Sequence, residues 1–293
     1  MRRILVTGAR GFLAGPLIAR LEGRARLFKL GRTEGPDVRR YDLADAAQAR
    51  AAVLAARPDE VYHLAGTTSA RDWNGFWRAH VTATVNLLSA LADAGRPVRV
   101  ILAASSAEYG AAGGARRARE DAPLEPVNLY GSSKVAQTLA ALSFNRGALE
   151  VVAARVFNVL GPGTPENLAP GAFARQIARV AAGLQSSEVL VGELSPRRDY
   201  VDARDVAAAL ELLMRRGAAG EVYNVGSGRS TTMRGVLHGL ARAAGVRVTE
   251  RVDPARCRPS EVRDIAADTR KIEALGWKPK IPLPRSLADM LAR

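Results

Sequence analysis

A tyrosine and a lysine four residues apart, Tyr130 and Lys134, are the pair in this sequence best suited to proton transfer. Side chains at positions i and i+4 of a helix project from one face, so both can reach the same cleft. A phenol titrates at about pH 10 in water, and a nearby ammonium group favours the phenolate and lowers that pKa. A tyrosine tuned in this way could exchange a proton with an alcohol or an alkoxide. The spacing also occurs by chance on helices that carry a half-buried tyrosine and a solvated lysine. Other parts of the sequence are therefore needed to distinguish a proton-transfer pair from a chance spacing.

The composition is that of a globular protein and argues against several other classes. The 293 residues are 47% hydrophobic and 25% charged, which suits one large α/β domain or one domain with an added lobe. The sequence shows no apolar run of membrane-spanning length and no signal-peptide pattern at its start. Its single cysteine, Cys257, excludes a disulfide framework. We therefore expect a cytoplasmic protein with no membrane contact, and we predict no metal site.

The net charge of +14 raises the question of nucleic-acid binding. The basic residues are scattered and not stacked in runs, arginine greatly outnumbers lysine, and no nucleic-acid-binding module is recognisable. Anionic small ligands such as dinucleotides and nucleotide-sugars also suit an excess of positive charge. We therefore predict a small-molecule ligand and no nucleic-acid partner.

A glycine-rich turn follows the first predicted strand, Arg3 to Thr7, and precedes an apolar-periodic helix. Strand, turn and helix in this order are the context of a dinucleotide-binding fingerprint. Gly8 would permit the tight turn, and Gly11 would let the backbone approach a pyrophosphate at the helix N-terminus. Ala14 takes the third glycine position, which the fingerprint tolerates. The cofactor contacts predicted here come from Gly8, Arg10, Gly11, Phe12 and Leu13.

The second predicted strand, Ala25 to Leu30, bears on the choice between NAD and NADP. An acidic residue at its end would bind the adenosine ribose hydroxyls and select NAD, but this strand carries none. Arg32, helped by Arg10, could instead hold the 2′-phosphate of NADP. A pair of solvated arginines is the alternative, and NADP is the prediction that we favour over NAD.

The next two strands add further cofactor contacts. Tyr41 to Leu43 is predicted to end the third strand, where Asp42 and Leu43 would border the adenine. A fourth strand, Val61 to Gly66, ends in small residues where backbone must lie close to the cofactor, so Leu64, Ala65 and Gly66 are predicted contacts. His63 within this strand is predicted to be a buried structural histidine.

Strands and helices continue to alternate through the first half of the chain, with a fifth strand at Val98–Ala104 and a sixth at Glu150–Val156. Such alternation predicts an α/β fold with a doubly wound parallel sheet and a ligand at the carboxyl ends of the strands. We expect an NADP-binding Rossmann domain over residues 1–157. Residues 158–293 are expected to form a smaller C-terminal α/β substrate lobe, with some segments returning to the first domain.

With these motifs in hand, the sequence resembles the extended short-chain dehydrogenase/reductase family, in its nucleotide-sugar branch. The resemblance covers nearly the whole chain and is greatest to GDP-4-dehydro-6-deoxy-D-mannose reductases and the related GDP-mannose 4,6-dehydratases. The motifs that carry it are the Gly8 turn, His63-Leu64-Ala65-Gly66, Ser105 four residues before Tyr109-Gly110, Tyr130 with Lys134, Phe157-Asn158, and Arg198-Asp199-Tyr200.

The resemblance implies a role for each matching residue. Ser105 would bond the sugar oxygen at C4, Tyr130 would exchange a proton with that oxygen, and hydride would pass between nicotinamide and C4. Lys134 would bond the nicotinamide ribose and depress the pKa of Tyr130, and Phe157 would contact the cofactor. Guanidinium groups suit a diphosphate, and the substrate contacts implied are Ser105, Ser106, Asn158, Arg175, Arg198, Arg258 and Glu261.

The chain departs from the family pattern at three places. The dehydratases carry a glutamate two residues after the Ser105 position, where this chain has Ala107, and Glu108 would face the other way if the strand continued. Epimerase-reductases of the GDP-fucose synthase type use a cysteine and a histidine beside the sugar, and Cys257 has no such evident partner. An asparagine is usual at the position of His80, so the helix–strand bond that this asparagine makes is in question.

The activity that this resemblance implies is the NADPH-dependent reduction of a nucleotide-linked 4-keto-6-deoxyhexose. GDP-4-dehydro-6-deoxy-D-mannose, giving GDP-D-rhamnose, is the favoured substrate. The alternatives are an NAD-dependent nucleotide-sugar 4-epimerase, a 4,6-dehydratase, or a non-catalytic NADP-sensing regulator. The resemblance also implies a homodimer packed through the helices that start near Trp73 and Leu129.

Overall fold

A seven-stranded, wholly parallel sheet organises the computed structural model, which describes residues 1–113, 117–257 and 262–292. Its strand order is β11-β7-β5-β4-β1-β2-β3. The strands, numbered along the chain, are β1 (Arg3–Thr7), β2 (Arg26–Gly31), β3 (Val38–Arg40), β4 (Glu60–His63), β5 (Val98–Ser105), β6 (Arg117–Ala118), β7 (Leu149–Val156), β8 (Asn158–Leu160), β9 (Glu188–Val191), β10 (Arg197–Asp202), β11 (Val222–Val225), β12 (Ser230–Thr232), β13 (Thr249–Val252) and β14 (Asp264–Ala267).

The helices of the described residues cover both faces of this sheet or pack in the C-terminal lobe. They are α1 (Ala14–Leu21), α2 (Ala46–Ala56), α3 (Trp73–Trp77), α4 (Ala83–Asp93), α5 (Leu129–Ser143), α6 (Ala169–Ala181), α7 (Ala203–Arg216), α8 (Met233–Ala243), α9 (Arg270–Glu273) and α10 (Leu283–Asp289). Alternate residues of β1 point to opposite faces, because the side-chain period of a strand is two. Ile4 therefore packs with Leu17 and Leu210 on the α1 and α7 side, and Leu5 packs with Leu87 on the α2 and α4 side. The predicted doubly wound α/β fold is confirmed.

Two elements differ from the sequence prediction. The third strand ends at Arg40, so Tyr41 to Leu43 lie in a loop. Side chains accept hydrogen bonds from the backbone N–H groups of this loop. The Asp42 side chain accepts from the Ala44 N–H, and the Gln48 side chain accepts from the Asp42 N–H. The helix predicted to start near Trp73 contains a π-helical segment, Arg78–Thr82, between α3 and α4.

The second half of the chain builds the lobe and also returns to the large sheet. β12, β10, β14 and β6 form a further sheet in that order, with β8 alongside β10, and β13 pairs with β9. An apolar cluster that includes Phe173, Ile177 and Leu237 fills the lobe. β11 leaves the lobe and pairs in parallel with β7. The boundary at residue 157 stays a prediction.

Within the described ranges, no helix has both the length and the apolar character needed to cross a membrane.

Candidate active site

The glycine turn after β1 lies against the exit of β4. Gly8 has φ +67, and a Cβ placed on it would lie 2.8 Å from the Ala65 nitrogen. The Gly11 N–H donates to the Gly8 carbonyl at 2.8 Å, which closes the turn before α1 begins. Only glycine combines this left-handed backbone with so close an approach. The turn and the Leu64-Ala65-Gly66 exit are therefore neighbours, as the sequence predicted.

The residues at this turn fit the pyrophosphate of a dinucleotide. Leu13 precedes α1, and its apolar side chain cannot accept the first N–H groups of the helix. Backbone N–H groups at a helix start, in a turn where glycine keeps side chains away, bind anions well. Gly8, Arg10, Gly11, Phe12 and Leu13 line this part of the chain and remain predicted cofactor contacts.

Arg10 supports the loop that follows β2. Its guanidinium group donates to Thr33 Oγ1 at 3.0 Å and to the Glu34 carbonyl at 2.8 Å. Arg32 is exposed at the start of the same loop. The structure thus gives Arg10 a role in shaping the loop that presents Arg32.

Asp42 and Leu43 are tied to the helix that follows β4. Arg78 donates to Asp42 Oδ2 at 2.6 Å, and Asn86 donates to the Leu43 carbonyl at 3.0 Å. Burial alone would raise the pKa of Asp42, but the hydrogen bonds from Arg78 and the backbone lower it overall. Asp42 and Leu43 lie near the carboxyl edge of the sheet, but in the loop after β3 and not at the end of the strand.

His63 is a buried structural histidine, as predicted. Thr84 donates its hydroxyl proton to the His80 carbonyl, so it accepts from His63 Nε2 at 2.9 Å. His63 Nδ1 must then accept from the Thr7 hydroxyl at 2.7 Å. Burial lowers the pKa of His63 to about 3, so the ring is neutral and its tautomer is set by its partners.

His80 makes a bond between the β4 exit and the catalytic helix, which answers the question raised by its departure from the family asparagine. Ser133 donates its proton to the Tyr130 carbonyl at 2.7 Å, so His80 Nδ1 donates to Ser133 at 2.8 Å. His80 Nε2 accepts from the Thr67 N–H at 3.1 Å. Burial and the nearby lysine ammonium lower the pKa of His80 to about 3, which keeps it neutral.

Ser105 and Tyr130 meet where α5 presses against the end of β5. Asn128 caps α5 by accepting the Gly131 N–H at 2.8 Å. A Cβ on Gly131 would lie 2.6 Å from the Ala107 carbonyl oxygen, so only glycine permits this approach. The side chain of Ser105 lies close enough to the phenol of Tyr130 to lower its pKa in part. The ring of Tyr130 also lies edge-on to the His80 ring, with centroids 5.6 Å apart.

Lys134 is buried on the same helix, one turn after Tyr130. Its Nζ donates to the Ala103 carbonyl at 2.6 Å and to Gln137 Oε1 at 2.5 Å. Burial lowers the pKa of Lys134 to about 8, although the Glu108 carboxylate partly offsets that effect.

The structure does not show the expected depression of the Tyr130 pKa by Lys134. Burial raises the pKa of Tyr130, and the Ser105 side chain acts in the opposite direction. The Lys134 ammonium group donates to the Ala103 carbonyl and to Gln137. Tyr130 is therefore held as a neutral phenol, the form that donates a proton.

The predicted substrate residues occupy several elements. Ser106 is buried beside Ser105, and Phe157 is buried with its ring 6.2 Å from that of Tyr109. Asn158 is exposed on β8, opposite Tyr200 of β10.

The predicted arginines have separate surroundings. Arg198 on β10 is half-buried, donates to the Arg197 carbonyl at 2.8 Å, and has its pKa lowered by burial. Arg175 on α6 is exposed and pairs with Glu166 at 2.6 Å. Arg258 and Glu261 lie outside the described residues.

Sequence reasoning missed the polar side chains that support the site. Gln137, Ser133 and Thr84 are buried and hydrogen-bonded to the catalytic or histidine side chains. Polar residues inside an otherwise apolar helical pattern were the available signal. The strand does not continue past Ser105, because Ser106–Glu108 form a 3₁₀ turn, so the condition of the Glu108 prediction is not met. The carboxylate of Glu108 is fully buried.

Replacing Lys134 with Met is expected to change how stability depends on alkaline pH. Between about pH 8 and about 10.4, the folded wild type releases a proton that the unfolded chain keeps, so its stability rises with pH in this window. Methionine has no such proton. The stability of Lys134→Met relative to wild type should fall by about 1.5 kcal/mol between about pH 8 and 9.5. Urea unfolding of both proteins at the two pH values measures this, and a constant difference would contradict it.

The model of the NAD dependent epimerase/dehydratase family matches residues 4–226. GDP-6-deoxy-D-mannose reductase from Pseudomonas aeruginosa is 34% identical over 99% of this chain and 96% of its own length.

Solved structures give the same picture. RMD from Pseudomonas aeruginosa, complexed with NADPH, has a TM-score of 0.89 at 32% identity and covers 100% of this chain and 98% of its own. MoeE5 in complex with UDP-glucose and NAD has a TM-score of 0.86 at 30% identity and covers 98% and 97%. The glycine turn, the paired Ser105 and Tyr130, and these similarities show that the chain belongs to the NAD-dependent epimerase/dehydratase family, which supports a nicotinamide dinucleotide as its cofactor.

Proposed function

We propose that this protein uses NADPH to reduce the 4-keto group of a nucleotide-linked 4-keto-6-deoxyhexose. GDP-4-dehydro-6-deoxy-D-mannose is the substrate that we favour, and GDP-D-rhamnose is its product. The observation that carries the proposal is the pairing of Ser105, at the end of β5, with Tyr130 on α5, with Lys134 one turn away. The similarity to a GDP-6-deoxy-D-mannose reductase supports the choice of sugar.

The chain's own residues would handle the proton and the oxygen. Bound NADPH supplies the hydride that reduces C4. Ser105 donates a hydrogen bond to O4, where negative charge develops, and Tyr130 gives O4 its proton. The raised pKa of Tyr130 keeps it protonated before reaction, and an alkoxide is basic enough to take that proton. The product is the 4-hydroxyl sugar, and the phenolate regains a proton from solvent.

Reduction is favoured over dehydration because the chain offers no carboxylate at the position next to the sugar. Ala107 stands where the dehydratases carry glutamate, and Glu108 is buried and bonded to Arg155. A 4-epimerase remains the rival within the family, and it would keep one NAD bound without net turnover. A regulator that senses NADP would need neither Ser105 nor Tyr130.

Asn158 and Arg198 lie on neighbouring strands, β8 and β10, and are the described residues that we propose for the substrate diphosphate. Arg175, Arg258 and Glu261 remain predicted contacts with the same nucleotide.

Replacing Tyr130 with Phe should lower kcat at least hundredfold, because a positioned general acid contributes about that factor or more. The assay follows loss of NADPH absorbance on addition of GDP-4-dehydro-6-deoxy-D-mannose. Tyr62→Phe is the matched control, since Tyr62 is a buried tyrosine on the α1 and α7 side of the sheet. A wild type that leaves the ketone untouched but epimerises a nucleotide-hexose would contradict the proposed reaction.

NADP is proposed as the preferred cofactor because β2 carries no acid and Arg32 is exposed at its end. Arg32→Ala should raise the Kd for NADPH by roughly tenfold to a hundredfold and leave the Kd for NADH unchanged, since a charge-assisted bond to phosphate is lost. Arg26→Ala, at the other end of the same strand, should leave both values unchanged. Equal losses for the two cofactors would argue against a 2′-phosphate contact.

A homodimer through α3 and α5 is also proposed. Trp73 and Trp77 on α3 and Leu129 and Leu139 on α5 are exposed apolar side chains on two adjoining helices, and such a patch marks a contact surface. We expect light scattering to give twice the 31.2 kDa chain mass for the wild type. Leu139→Lys should shift the mass toward the monomer, whereas Leu54→Lys should not. Both leucines are 59% exposed, so equal effects would contradict this interface.

A further inference from the structure

Glu108 is a fully buried carboxylate that binds three donors beside the catalytic serine. Its Oε1 accepts from the Ser105 N–H at 3.0 Å and from Thr138 Oγ1 at 3.0 Å. Its Oε2 accepts from Arg155 Nε at 2.8 Å. A buried charge needs this full set of partners, because an unpaired carboxylate would be strongly disfavoured away from water.

The three donors come from three different elements. Ser105 ends β5, Thr138 lies on α5, and Arg155 lies on β7. Thr138 is four residues after Lys134, which is four after Tyr130, so the three side chains share one face of α5. The carboxylate of Glu108 therefore joins the backbone of Ser105 directly to the helix face that carries the catalytic pair.

Arg155 connects this carboxylate to further elements. Its Nη1 donates to the Tyr109 hydroxyl at 3.2 Å and to the Glu120 carbonyl at 3.0 Å. The Tyr109 hydroxyl in turn donates to Asn224 Oδ1 at 2.6 Å. The position of Glu108 is thus fixed from β7 and β11 as well as from α5, and it cannot shift without breaking this network.

The hydroxyl of Ser105 is held by the same turn. Ser105 Oγ accepts from the Ala107 N–H at 3.2 Å while the Ser105 N–H donates to Glu108. With one N–H directed at the Ser105 oxygen, the serine proton is left to point at Tyr130 or at a substrate oxygen. The backbone bond to Glu108 sets where this hydroxyl stands.

We propose that Glu108 is a positioning residue that holds Ser105 at the place where its side chain meets Tyr130 of α5. The inference rests on the proposed function, because it assigns Ser105 to the substrate oxygen. Glu108 acts through Ser105 and does not touch the substrate, so its effect should appear in kcat and depend on the serine hydroxyl.

A double-mutant cycle with Ser105 tests this role. Glu108→Gln keeps the shape of the side chain but directs an amide N–H at Arg155, and it should lower kcat roughly tenfold to a hundredfold, as small displacements of reacting groups do. The Kd for NADPH should stay unchanged. In the Ser105→Ala background the same substitution should have little further effect on kcat. Additive losses would overturn the proposal.

Two further variants separate positioning from general stability. Asp205 is a buried carboxylate that accepts the Lys280 and Ile281 N–H groups at 2.9 and 2.8 Å, so Asp205→Asn should lower Tm and leave kcat unchanged. Thr138→Val keeps the ion pair with Arg155 and removes only the bond from α5, so it remains informative if Glu108→Gln does not fold. It should lower kcat, and this loss should also vanish in the Ser105→Ala background.

A readout without catalysis separates this proposal from the proposed reaction. The Tyr130 ring resonance, assigned by comparison with Tyr130→Phe, should shift in both Ser105→Ala and Glu108→Gln, and Glu108→Gln should add no shift to Ser105→Ala. A wild type without reductase activity would overturn the proposed function, and this coupled shift would still support the role of Glu108. An independent, additive shift would overturn that role in either case.

Discussion

The buried ammonium group of Lys134 constrains the rest of the site. A charge removed from water must find acceptors nearby, and Lys134 finds the Ala103 carbonyl on β5 and Gln137 on its own helix. The bond to Ala103 ties α5 to β5. Tyr130 lies one turn earlier on that helix, so its phenol is brought to the end of β5, where Ser105 lies. Satisfying one buried cation therefore helps to bring Ser105 and Tyr130 together.

Two neutral histidines connect α5 and its neighbours to the end of β1, where the glycine turn begins. His63 joins Thr7, at the end of β1, to Thr84 on α4, and Thr84 also accepts from Gln137 beside Lys134. His80 joins the β4 exit to α5 through Ser133. Both rings are far from protonation near neutral pH. The hydrogen-bond directions therefore persist, and the glycine turn and the catalytic helix are held in one buried polar network.

Local patterns predicted much of this arrangement, and tertiary packing decided the rest. The glycine turn, the alternating strands and the spacing of Tyr130 and Lys134 are short-range signals, and each is found where it was expected. The predicted end of the third strand was wrong, because hydrogen bonds to the side chains of Asp42 and Gln48 replace hydrogen bonds to a neighbouring strand. The raised pKa of Tyr130 could not be foreseen, because it depends on how deeply tertiary packing buries the phenol. Two of the three partners of Glu108 come from residues 30 and 47 positions away, which no local pattern reveals.

The pairing of β6 with β14 has a consequence for synthesis of the chain. Arg117 and Ala118 pair with Ala266 and Ala267, so the loop after Ser105 gains its strand partner only when nearly all of the polypeptide has left the ribosome. Contacts of such long sequence separation form slowly, since loop-closure entropy opposes them. The large sheet can be largely assembled earlier, because six of its seven strands lie before residue 157. A nascent chain would thus form most of the large sheet well before the segment at Arg117 and Ala118 gains its strand partner.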